Sequence, residues 1–155
     1  MAKPTKKKPF YSFRLYLGKQ FYHVVIFETR DIMLKTFEIV NGYSTESDSL
    51  AVTQQYTVIR FKGKDKEHIG MCIGRIWFSK EHLGGGLIAH EMTHAALFWA
   101  QANGRIKELI HKPKYRKGAK SFLAHDTIDE LIPFYVGELC RKFYNKMYEL
   151  KIWKQ

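Results

Sequence analysis

The stretch IGMCIGRIWFSKEHLGGGLIAHEMTHAALFWAQA, residues 69–102, decides the fold. Its first ten residues are rich in apolar, β-branched and aromatic side chains, and they predict a strand over 69–78. After the glycine run Gly84-Gly85-Gly86 the period changes. Leu87, Ile88 and Ala89, then Ala95, Ala96 and Leu97, recur as they do on a helix, which the pattern places at about 87–102. Asn103-Gly104 then offers an easy left-handed stop.

Working upstream, FYHVVIFE (21–28) reads as a buried strand. Thr29 has the chemistry of a helix N-cap. Residues 30–40 follow as a short amphipathic helix with Ile32, Met33, Phe37 and Val40 on one side and Asn41-Gly42 as its stop. A polar loop over 44–49 leads to an alternating strand over 56–61, and the charged turn 63–67 returns the chain to 69. Downstream, a basic loop of about twenty residues, unusually long for a compact domain, precedes a second long helix over about 127–150. The class is α+β, with a small, partly antiparallel sheet packed on the helix at 87–102 and on the C-terminal helix.

A chain of 155 residues that is 45% apolar and 15% aromatic closes one core. Residues 1–9 read as a basic tail and 10–155 as a single domain. The 2 cysteines, Cys72 and Cys140, match no ligand or disulfide pattern and are expected as buried thiols. No secretory h-region follows the basic start and no run reaches membrane-spanning length, so the expectation is a cytoplasmic protein with no membrane segment. With 26 Lys and Arg against 15 Asp and Glu, the net charge is +11. Such an excess attracts nucleic acid or acidic protein surfaces. It is spread over the 3–8 tail, over Lys112, Lys114, Arg116, Lys117 and Lys120, and over the C-terminal helix, and no helix-turn-helix or finger motif organises it.

The chemistry is concentrated in His90-Glu91-Met92-Thr93-His94. On a helix, residues four apart stand one turn above each other, so His90 and His94 can present ring nitrogens to one ion. Glu91 lies about 100° round from His90, within reach of a water on that ion without being a ligand. With 7 histidines in the chain, such a pattern arises by chance in about 0.02 of sequences of this composition. Its chemistry is metal-assisted hydrolysis, with Zn2+ as Lewis acid and Glu91 as general base. A catalytic zinc needs a third protein ligand. The C-terminal helix offers Glu130, whose apolar neighbours Leu131 and Ile132 favour it, alongside Asp126, Asp129, His125 and Glu138. Glu130 also completes a capping box with Thr127, and Pro133 can kink the helix just after it. Tyr135 or His125 could stabilise an oxyanion. The strand segment 74–78 could pair with an extended peptide if it lies at the sheet edge, or pack Ile76 and Phe78 into the core.

The order of strand, glycine turn and Ala-His-Glu-Met-Thr-His-Ala-Ala (89–96), then Asp129-Glu130 with Phe134-Tyr135 and Gly137, resembles compact gluzincin-type metallopeptidases such as those of phages and mobile elements. The resemblance spans residues 69–139. It implies zinc on His90, His94 and Glu130, Glu91 as base, and a protein or peptide substrate. Pro133 departs from the pattern. The chain also resembles Spartan-type DNA-associated proteases in His-Glu-Met-x-His-Ala, but their downstream His-Gly-x-x-Phe segment is missing, leaving His111 and His125 as candidate third histidines. Two other functions compete with the peptidase: a metal-braced binding module that contacts nucleic acid or an acidic protein without catalysis, and a zinc amidase acting on a non-protein substrate.

Overall fold

The computed structural model describes residues 7–46, 48–56, 71–103 and 128–153, with the side chains of 128–131 excepted. Four strands, β1 (Tyr11–Leu17), β2 (Gln20–Phe27), β3 (Ala51–Gln55) and β4 (Cys72–Ser79), make one sheet in the order β1-β2-β4-β3. The β1 and β2 strands form an antiparallel hairpin in which Leu17 pairs with Gln20. Gly18, at φ +60°, supplies the positive φ that a two-residue turn needs. The next pair, β2 and β4, is parallel, while β3 runs antiparallel to β4. The fold is therefore α+β with a mixed sheet.

A parallel pair needs a crossover. Helix α1 (Arg30–Asn41) supplies part of it, and its ends are set locally. The Thr29 hydroxyl accepts from the Ile32 N–H at 3.3 Å, and Gly42, at φ +76°, ends the helix with its N–H on the Glu38 carbonyl. Met33 and Phe37 are buried as expected, whereas Val40 is exposed. Helix α2 (Gly85–Ala102) and helix α3 (Ile128–Glu149) cover the other face.

Each face carries its own core. Phe13, Leu15, Tyr22, Val24, Ile26, Ile76 and Phe78 pack with Ile88, Met92, Ala95 and Ala96 of α2 and with Leu139, Phe143 and Met147 of α3. Opposite them, Val25, Phe27 and Trp77 pack with Met33 and Phe37. The ring of Trp77 lies stacked on Phe27 and edge-on to Phe37. Gly74 is required where it stands, because a Cβ there would meet both the Gln54 carbonyl and the Tyr22 ring.

Several expectations need correction. Strand β1 was not anticipated, although Phe13, Leu15 and Leu17 point inward while Ser12, Arg14 and Tyr16 point out. The strand before β4 runs over Ala51–Gln55 instead of beginning at 56. Tyr56 still donates its N–H to the Ile73 carbonyl, and 57–61 lies outside the described residues. Asn103 closes α2 at φ −94°, so the stop is not left-handed there. Its side-chain amide instead donates to the Trp99 carbonyl at 2.8 Å. The cysteines are unpaired and half-buried instead of fully buried. Among the described residues no helix is long and apolar enough to cross a membrane.

Candidate metal centre

Helix α2 is held to the sheet by its apolar face and by polar ties, among them the Tyr22 hydroxyl, which donates to the Ala95 carbonyl at 2.6 Å. Burial pushes the Tyr22 pKa up, so it remains a neutral donor. With Ile88, Met92, Ala95 and Trp99 turned inward, helical periodicity carries positions 90 and 94 to the opposite side. Both histidines are exposed. Their rings meet edge to face, and His90 Nε2 stands 3.1 Å from His94 Nε2.

That separation tests the fit of a metal. A tetrahedral zinc with Zn–N bonds of about 2.0–2.1 Å holds two nitrogens roughly 3.3 Å apart, so the pair already stands near the required span. The same distance suits an N–H of one ring donating to the other. Both rings present the same nitrogen, which leaves each Nδ1 free for an orienting partner.

Glu91 is turned elsewhere. It is only 4% exposed, and Oε2 accepts from the Thr53 hydroxyl at 2.5 Å, a length characteristic of hydroxyl-to-carboxylate bonds. Thr53 Oγ1 also lies 3.3 Å from the Glu91 carbonyl oxygen. Thr53 belongs to β3, which is the end strand of the sheet among the described residues. The edge strand beside the histidine helix is therefore β3. Segment 74–78, considered above for that position, is in the central strand β4, with Ile76 and Phe78 fully buried. Sequence reasoning missed Thr53. The only signal was the β-branched pair Val52-Thr53 just after a polar loop.

The remaining candidates divide by location. Tyr135 is half-buried with its ring 4.4 Å from that of Trp99 and against Phe134, so it packs α3 onto α2. Glu138 accepts from Arg141 Nε and Nη2 at 3.2 and 2.9 Å. The guanidinium holds its carboxyl below the usual range. Among the described residues no third His, Cys, Asp or Glu joins the histidine pair. Glu130 and Asp129 begin α3 with side chains outside the described residues, as are His111, His125, Asp126 and Thr127. Pro133 is accommodated inside α3. Set against known proteins, the chain matches no family model, no curated protein and no solved structure.

Proposed function

We propose that this chain is a cytoplasmic zinc-dependent peptidase of gluzincin type, acting on a protein or peptide. The observation that supports it most is the pair of Nε2 atoms 3.1 Å apart across one turn of α2, with Glu91 in the same turn and its carboxylate buried on Thr53. His90 and His94 would hold the ion, and Glu130 is the proposed third holder. When bound, zinc supplies Lewis acidity, which acidifies a water and polarises a peptide carbonyl. Glu91 takes the proton at Oε1, because Oε2 is engaged by Thr53, and passes it to the leaving amine. Its burial keeps bulk water from that proton.

The chain should purify with about one zinc, lost in His90→Ala and His94→Ala and reduced in Glu130→Gln. In Glu91→Gln, casein hydrolysis should fall by about 10²–10⁴-fold, while zinc content and melting temperature stay close to wild type, since glutamine still accepts from Thr53. Cleavage by Glu91→Gln at the wild-type rate overturns the reading. The Glu91–Thr53 bond itself favours a second reading, in which this residue ties helix to sheet and an ion only braces the fold. That version predicts unfolding on chelation and no hydrolysis in any form of the chain.

A further inference from the structure

Helix α1 has 12 residues and extends about 18 Å, while the 8 residues of β2 extend about 26 Å. It covers Val25, Phe27 and Trp77, and it ends where the Gln54 side-chain amide donates to Asn41 Oδ1 at 2.6 Å. Gln54 is one end of a row that crosses the whole sheet. Arg75 of β4 pairs with it, His23 of β2 pairs with Arg75, and Arg14 of β1 pairs with His23. Neighbouring strands are about 4.8 Å apart, so two arginines about 10 Å apart flank one histidine on the half of this face that no described element covers.

The row holds two arginines with no counter-charge among the described residues. Among the described residues no carboxylate pairs with Arg14 or Arg75, and Arg75 Nε is buried with no hydrogen-bond partner. Burial, together with Arg75 and Arg14, keeps the His23 pKa low. Aromatic rings adjoin the row on the same face. Tyr16 pairs with Phe21 across β1 and β2, their centroids 5.4 Å apart, and the Arg14 guanidinium lies 4.6 Å over the Phe21 ring. Tyr16 is exposed. Lys142 of α3 comes to the β1 edge from the opposite face, its Nζ donating to the Tyr16 carbonyl at 2.8 Å.

We propose that this half-face, which no described element covers, binds single-stranded nucleic acid, with phosphates on Arg14 and Arg75 and a base stacked on Tyr16. A sheet face that sets an exposed tyrosine ring beside cations is a stacking platform within an electrostatic track, and the net charge of +11 adds attraction at long range. An acidic peptide would use the arginines but gain nothing from the rings. The proposal does not depend on the peptidase reading, because binding is measured without hydrolysis.

The test is fluorescence anisotropy of the full chain with a labelled oligothymidylate of about twenty nucleotides, across salt from about 50 to 200 mM. Arg14→Glu and Arg75→Gln should each weaken binding several-fold and lower the slope of log K against log salt by about 0.7. Tyr16→Ala should cost at least about 5-fold for the single strand and leave the affinity for a duplex of the same length unchanged. The control Lys35→Glu makes the same charge change as Arg14→Glu on the exposed side of α1 and should stay within about twofold of wild type. Arg14 and Tyr16 are exposed, so their variants remain decisive even if Arg75→Gln fails to fold. Equal losses in Lys35→Glu and Arg14→Glu overturn the proposal. So does binding that Tyr16→Ala leaves intact, or full competition by oligoglutamate at equal charge, which would assign the face to acidic peptides.

Discussion

On one face of the sheet the inward residues of β1, β2 and β4 meet two long helices, and Tyr22, Val24, Ile26, Ile76 and Phe78 are sealed. On the other, the one described helix, the 12-residue α1, seals Val25, Phe27 and Trp77 and then stops, with His23 and Arg75 half-buried and Arg14 exposed. The difference shows where polar chemistry can sit in a domain this small. On the doubly covered face, functional groups are displaced to the far side of α2, where His90 and His94 stand, and to the edge strand that receives Glu91. On the face covered by α1, polar groups lie on the sheet itself, where no helix among the described residues reaches them.

The strongest way to break this comparison is through the cores. Phe143 packs against Phe13 and Phe78, so Phe143→Ala should cost about 3–5 kcal/mol in urea unfolding. Phe37→Ala, on the thinner face, should cost about 3 kcal/mol. The double variant should be additive within about 0.5 kcal/mol, and strong coupling would show that the two faces are one core.

Gly74→Ala should cost about 1–3 kcal/mol, because the new methyl meets the backbone carbonyl of Gln54 as well as Tyr22. A neutral result would mean that β3 gives way at its free edge. Thr53→Val leaves the buried Glu91 carboxylate without its donor and should cost about 1–2 kcal/mol, with Thr53→Ser recovering most of it. If the peptidase reading holds, Thr53→Val also slows hydrolysis at unchanged zinc content.

The smallest effect is a pH dependence. Since the folded His23 pKa lies below its ordinary value, the unfolded chain takes up the proton first as pH falls. Wild type should therefore lose stability from the ordinary histidine range downward until the folded pKa is passed, with no contribution at higher pH. His23→Gln should remove that part of the slope in denaturation midpoints measured from neutral to mildly acidic pH, and an unchanged slope would place the titration elsewhere.

What could be read directly from the residues was local. The caps at Thr29 and Gly42 were legible because one side chain or one backbone angle decides each. The facing of His90 and His94 was legible because helical pitch alone brings positions four apart together. Part of the site was not. The role of Thr53 depends on β3 lying next to β4 and over α2, a pairing across distant sequence that no short window contains. Strand β1 carried a clear alternation that only its pairing with β2 makes structural.

By itself, then, the sequence determined the helix beginning at Arg30 with its two ends, the strand, glycine turn and helix unit, and the meeting of the two histidines, all products of backbone geometry within a few residues. Tertiary structure alone decided that β4 is central and β3 an edge, that Glu91 is buried against Thr53, and that Arg14, His23 and Arg75 align in one row. The physical reason is strand register, which is set by the burial of apolar faces between segments far apart in the chain, and a slip of one residue would turn every one of those side chains to the other face.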